Sequence, residues 1–288
     1  MQHRFLPSLV IAIPLVLVAC SGAPPTPIGE QQLADARNSF KASDFNAALN
    51  SLDGAIKAAG DEPAGQQAAV LRSALLTALA DASKQMGEAY GLGAKQPAAR
   101  SSFGPFSKTR SDYYNSARSR LMDAMQSVMD QRGKLSANPL PAEVSFPGFV
   151  GETDPTVARI KSGQWVTDAD RSGAELQADR NALARILSAL AGAGQDLNKG
   201  QQIFGSGKVD VDPRVYLVTL SSSFLEIGGV FQPSALNELD HLRIVNEVVR
   251  GNLEVAVKLL AAKPDKDLEA RAKKMQAECE NTLKRLGP

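Results

Sequence analysis

The stretch DADRSGAELQAD, Asp168 to Asp179, carries four carboxylates in twelve residues. Asp168, Asp170, Ser172 and Asp179 stand at the spacing at which a twelve-residue calcium loop places hard oxygen ligands, and Gly173 falls where such a loop turns sharply. Two positions depart from that pattern. Glu175 occupies a place normally apolar, and Asp179 is one methylene shorter than the usual bidentate glutamate. The competing reading is a helix start, with Thr167 or Asp168 as cap and the acids favoured by the helix dipole.

The other reactive side chains are few. His3 and His241 are the only histidines, and Cys20 and Cys279 the only cysteines. His3 falls in the N-terminal segment that reads as a signal peptide, so a Ser-His-Asp triad, a Cys-His dyad or a multi-histidine zinc site in the remaining chain would have to pass through His241. Asp240 precedes His241 directly, and adjacent helical residues point to different faces, so the two form no dyad by adjacency. Asp210-Val211-Asp212-Pro213 reads as a turn and cap ahead of a helix starting near Arg214. The charges between Lys263 and Lys274 mix signs on a helix and read as a solvated face. No catalytic and no cofactor-binding motif stands out, so the expected cofactor set is none.

The elements that must carry these residues read as helices almost throughout, and the expected fold class is all-α, built from helical hairpins and long amphipathic helices in two packed halves. A hairpin is expected over 31–59 with its break at Ala42-Ser43-Asp44. Residues 65–91 carry Ala68, Leu71, Leu75, Ala78, Ala82, Met86 and Ala89 at three- and four-residue steps, the stripe of a long amphipathic helix. A further helix is expected over 107–132, with Tyr114, Ala117, Leu121, Met125 and Val128 inward and Met122 and Met129 as adaptable filler.

Pro139, Pro141, Pro147 and Pro155, with Gly148 and Gly151, break the pattern between 134 and 156, where Glu143 to Val150 could run extended. This segment reads as a linker between an N-terminal helical domain, 30–133, and a C-terminal one, 157–288. In the latter, helices are expected over 168–191, 215–231 (a buried strand being the alternative) and 234–262, where Gly251-Asn252 could interrupt. The last helix carries Leu268, Ala272, Met275, Cys279, Thr282 and Leu286 as its stripe, which puts Cys279 on a packing face as an inert thiol.

The first 29 residues concern address more than fold. Met1 to Arg4 is a short positive segment and Phe5 to Ala19 an apolar one, of the length of a signal-peptide core and short of the roughly 20 residues a membrane span needs. Leu17-Val18-Ala19-Cys20 then resembles the lipobox of bacterial lipoproteins. That resemblance implies cleavage before Cys20, lipidation of its sulfur with diacylglycerol and acylation of the new amino terminus, commonly by palmitate. Residues 1–19 are then a signal peptide and 20–29, with Pro24, Pro25 and Pro27, a proline-rich tether. Ser21, where inner-membrane lipoproteins carry Asp, implies an outer-membrane address facing the periplasm in a cell with two membranes.

Without residues 1–19 the chain loses Arg4 and no acid, so 31 basic residues balance 31 acidic ones. That balance gives no reason to expect nucleic acid as a partner. The membrane, reached through lipid on Cys20, and a protein of the envelope are the expected partners. Ala36, Phe40, Asp44, Phe45, Ala48, Leu52 and Ala55 also resemble a single tetratricopeptide (TPR) hairpin, with Gly60 where the repeat ends in proline. That resemblance covers 31–60 only and implies protein contacts along a helical face. The expected function is a non-enzymatic, membrane-anchored scaffold or adaptor of the cell envelope. The alternatives are a glycan-cleaving cell-wall enzyme, for which Glu88 to Gly93 is only a superficial echo of the needed motif, and a small-ligand-binding lipoprotein.

Overall fold

The fold is all-α in a computed structural model that describes residues 26–143, 153–194, 196, 198–200, 202, 209–230 and 236–287. The signal segment 1–19, Cys20, the tether as far as residue 25 and the extended reading of 144–150 lie outside the described residues.

Helices α1 (Ile28–Ala42) and α2 (Phe45–Ala59) form the expected hairpin. Ser43 closes α1 in the left-handed region at φ 59°, and Asp44 caps α2 by accepting from the Ala47 amide at 3.0 Å. Ala36, Phe40, Phe45, Ala48, Leu52 and Ala55 are all buried, with the Phe40 and Phe45 rings edge to face at 6.5 Å. Pro63 at the first position then opens α3 (Pro63–Gly93), where a missing amide costs nothing.

Helix α3 is the axis of the molecule. The seven stripe residues are buried, and so are Ala69, Val70, Ala74, Leu76, Leu79 and Ala80 on its other sides. A helix apolar all round must be surrounded, and α3 is: α2, α4, α5, α6 and α7 all pack on it. Helix α4 (Phe103–Arg132) follows a 3-10 turn, Pro97–Ser102, and starts four residues before the expected 107. Pro105 lies in its first turn, where proline is tolerated.

The proline-rich segment holds two elements that periodicity does not signal. Strand β1 (Leu140–Ala142) pairs antiparallel with β2 (Val209–Val211), Leu140 opposite Val211, and buries Leu140, Ala142, Val209 and Val211. Helix α5 (Pro155–Lys161) has proline at its first position and Asp154 as cap, so a residue read as a breaker is a helix start. Gly93, at the end of α3, admits it: a Cβ there would lie 2.1 Å from the Ile160 carbonyl oxygen.

Helices α6 (Asp168–Leu190), α7 (Pro213–Gly228), α8 (Leu236–Ala262) and α9 (Lys266–Leu286) complete the fold. The segment expected as helix or buried strand near 215–231 is the helix α7, and Tyr216, Leu217, Val218, Leu220 and Phe224 are fully buried in it. The Tyr216 hydroxyl lies 2.8 Å from Ser73 Oγ on α3 and donates to Gln131 Oε1 on α4 at 3.0 Å, a polar pin through three helices. Helix α8 runs unbroken through Gly251-Asn252. A Cβ at 251 would meet the Arg132 guanidinium at 2.4 Å, and Arg132 donates to buried Asn252 Oδ1 at 3.3 Å, so the small residue makes room for a cross-helix bond.

Ala272, Met275 and Cys279 of α9 are buried as expected, and burial pushes the Cys279 thiol up to about 11. One hydrophobic cluster runs from Leu33 to Cys279 and takes in residues from both stretches, 30–133 and 157–288. A second, smaller cluster joins Met86, Tyr90 and Phe106 to Val157, Ile160 and Val166 at the far end of α3. No described helix is long and apolar enough to cross a membrane.

Candidate functional site

Helices α4 and α6 each lie along α3 and barely touch one another, which leaves a groove floored by α3. A cavity of about 390 Å³ occupies it. Ala82, Ser83 and Met86 form the floor, Tyr113, Ser116 and Arg120 line the α4 wall at steps of three and four, and Arg171, Glu175 and Asp179 line the α6 wall at steps of four.

One bridge crosses the groove. The Tyr113 hydroxyl donates to Glu175 Oε1 in a short hydrogen bond, and Arg171 lies 3.7 Å from the same oxygen. Burial, and then this bond to Glu175, raises the Tyr113 phenol above its ordinary range. Behind Tyr113 the Tyr90 ring stacks at 5.6 Å, and Tyr90, Phe106 and half-exposed Trp165 continue the aromatic cluster with centroids 5.3 to 6.2 Å apart. These rings make the end of the groove stiff, since aromatic pairs at these separations hold each other in offset or edge-on geometry.

Asp179 differs from Glu175. It sits in the cavity wall with no hydrogen bond and no ion pair among the described residues. Burial pushes its carboxyl up to about 7; the Arg120 charge opposes that rise and the Glu175 charge adds to it. Among the described residues Arg120 donates only to neutral acceptors, the Leu79 carbonyl at 3.2 Å and Ser83 Oγ at 2.9 Å.

The four residues singled out as calcium ligands do not converge. Asp168 to Asp179 is helix from its first residue, so of the two readings the helix start describes the backbone. Thr167 is the cap, accepting from the Asp170 amide at 3.1 Å. Asp168 pairs with Arg171 at 2.8 Å, Asp170 with Arg159 of α5 at 3.2 Å, Ser172 is exposed, and Asp179 lies further along in the groove. A calcium loop must wrap its ligands around the ion, whereas a continuous helix strings them along its axis. Among the described residues no three His, Cys, Asp or Glu side chains stand close enough to share a metal.

Asp212 caps α7, as the turn-and-cap reading of 210–213 expects, accepting from the Arg214 amide at 2.9 Å. Its carboxylate also holds the buried Arg214 guanidinium, which reaches on to the Lys263 carbonyl at the end of α8. Tyr113, Arg120 and Arg171 are groove residues that sequence reasoning passes over. The available signal is their spacing, 113, 116 and 120 on one helix and 171, 175 and 179 on another, but nothing in a linear reading says that these two faces meet. No family model matches the chain, and no curated protein and no solved structure matches it.

Proposed function

We propose that this chain is a lipid-anchored lipoprotein of the bacterial cell envelope whose helical body is a non-enzymatic binding module for a partner held near the membrane. The observation that carries this reading is Leu17-Val18-Ala19-Cys20 directly after an apolar segment and ahead of a proline-rich run. Lipidation of Cys20 would attach two or more acyl chains, and each buried methylene contributes about 0.8 kcal/mol, so that several chains anchor firmly where one does not.

The shape of the body suits display. Thr26, the first described residue, lines a small cleft with Pro63, the start of α3, so the tether enters at that end. Ala82, where the groove begins, stands about 30 Å further along the helix at 1.5 Å per residue. The groove and its aromatic end thus lie away from the point of attachment. The hairpin α1–α2, which buries the small and aromatic positions a TPR-like unit would bury, supports a protein partner as the occupant of the helical surface.

A small-ligand-binding lipoprotein is the second reading, favoured by a cavity whose wall holds a carboxyl and a guanidinium that form no ion pair among the described residues. The anchor is tested by metabolic labelling with a fatty acid and by fractionation. The wild-type protein is expected to carry label and sediment with membranes, and Cys20→Ala to lose the label and appear in the soluble fraction. A Cys20→Ala protein still bound to membranes refutes the lipid-anchor account.

A further inference from the structure

Almost every charged side chain on α6 touches a polar partner. Asp168 pairs with Arg171, Asp170 with Arg159 and Arg185 with Asp81, Glu175 takes both Tyr113 and Arg171, and Arg180 donates to Ser43 Oγ at 2.8 Å. Asp179 is the exception, and it lies in the wall of the 390 Å³ cavity. Across the groove Arg120 donates to two neutral oxygens and, among the described residues, forms no salt bridge with a carboxylate. Partly desolvated charges without counter-ions are costly, and a folded chain normally pairs them or turns them to water. Here two of opposite sign border one cavity, close enough that Arg120 opposes the rise in the Asp179 carboxyl.

We propose that the groove between α3, α4 and α6 binds a small zwitterion, with Asp179 receiving its ammonium group and Arg120 its carboxylate. The chemical class is that of free amino acids, in which the two charges stand a few bonds apart. A simple anion would satisfy Arg120 but add negative charge beside Asp179, Glu175 and Asp112. A simple cation would satisfy Asp179 but face Arg120 and Arg171. A ligand carrying both charges contacts both residues at once, and the hydroxyls of Thr109 and Ser116 on the same wall supply further hydrogen bonds. The cavity lies within the range of roughly 300–1,000 Å³ typical of small-molecule sites. Its floor of Ala82 and Met86 offers an apolar surface to whatever side chain the ligand carries. The inference rests on the binding-module reading of the body, and not on the anchor.

The test is the thermal unfolding of the full-length protein in non-ionic detergent with glycine, β-alanine or 4-aminobutyrate, three zwitterions of increasing charge separation. Methylammonium and acetate, the two halves of glycine, serve as controls. At least one zwitterion is expected to raise the Tm by about 2–4 °C at saturation, and neither half-ligand to do so at the same concentration. Asp179→Asn and Arg120→Gln are each expected to abolish the rise. Asp179→Asn decides the matter if Arg120→Gln does not fold, because among the described residues Asp179 makes no hydrogen bond that the substitution could remove. The proposal is overturned if no zwitterion shifts the Tm, if a half-ligand matches the zwitterions, or if the shift survives in Asp179→Asn. None of these outcomes bears on the fractionation of Cys20→Ala, so the two readings fail separately.

Discussion

Replacing Asp179 by asparagine removes a charge and keeps the shape, and the groove makes the consequence depend on pH. An ordinary aspartate titrates near 3.8, and burial holds this one up to about 7. Between those values the unfolded chain has released the proton that the folded chain still carries. Wild-type stability therefore falls as pH rises from about 4 to about 7 and then levels off, while Asp179→Asn has no such slope. The rise from 3.8 to about 7 corresponds to about 4 kcal/mol as an upper bound. Asp179 is partly reached by solvent, so about 1–3 kcal/mol is the expected effect. The charged and titratable groups facing it are Arg120, Asp112 and Tyr113 on α4 and Glu175 and Arg171 on α6, and the substitution leaves all of them in place. Urea unfolding at pH 4 and pH 8, followed by helical circular dichroism, reads the effect directly. The two proteins are expected to be nearly equal at pH 4, and the asparagine variant more stable at pH 8. A difference that is the same at both values, or a less stable variant at pH 8, refutes the reasoning.

Three further outcomes are expected. Leu75→Ala, at the centre of α3 and fully buried, leaves a cavity in the main cluster and should cost about 2–5 kcal/mol in the same unfolding assay. Asp212→Ala removes the α7 cap and strands the buried Arg214, and should cost about 3 kcal/mol at neutral pH. Its bonds with Arg214 hold the Asp212 carboxyl below its ordinary value against the opposing pull of burial, so this difference should fade as pH falls below about 4. Cys279, buried and raised to about 11, should be inert to a disulfide reagent at pH 8 in the native protein and react fully in denaturant.

Helix α3 marks how far periodicity reaches. Ala68, Leu71, Leu75, Ala78, Ala82, Met86 and Ala89 are all buried, as their spacing predicts. The same reading makes the helix amphipathic, whereas Ala69, Val70, Ala74 and Ala80 are buried too. Alanine is small enough to stand on either a wet or a packed face, so an encircled alanine-rich helix looks one-sided in sequence. The proline-rich stretch misleads for the opposite reason. Pro155 breaks the pattern, yet it is the first residue of a helix, where its fixed φ is an advantage. The groove is the least legible feature: Tyr113 and Glu175 are 62 positions apart and meet only because α4 and α6 both pack on α3.

The persistence in one groove of two opposite charges that sense each other without forming an ion pair follows from how α6 is fixed. Ahead of Asp179 the helix is held by its Thr167 cap and by the bond between Arg159 and Asp170; just beyond it, Arg180 bonds Ser43 at the α1–α2 turn and Arg185 pairs with Asp81 of α3 at 2.9 Å. These ties lie on both sides of Asp179, so the helix cannot rotate to carry the carboxyl outward. Nor can Arg120 move freely toward it, because its Nη1 is bound to the Leu79 carbonyl and to Ser83. A scaffold that merely tolerated the two charges would gain stability from almost any neutral substitution at 179, and nothing would be lost with it. If the groove takes a zwitterion, the same substitution gains stability and loses binding together, the exchange expected where a site is held in an unfavourable state for its ligand.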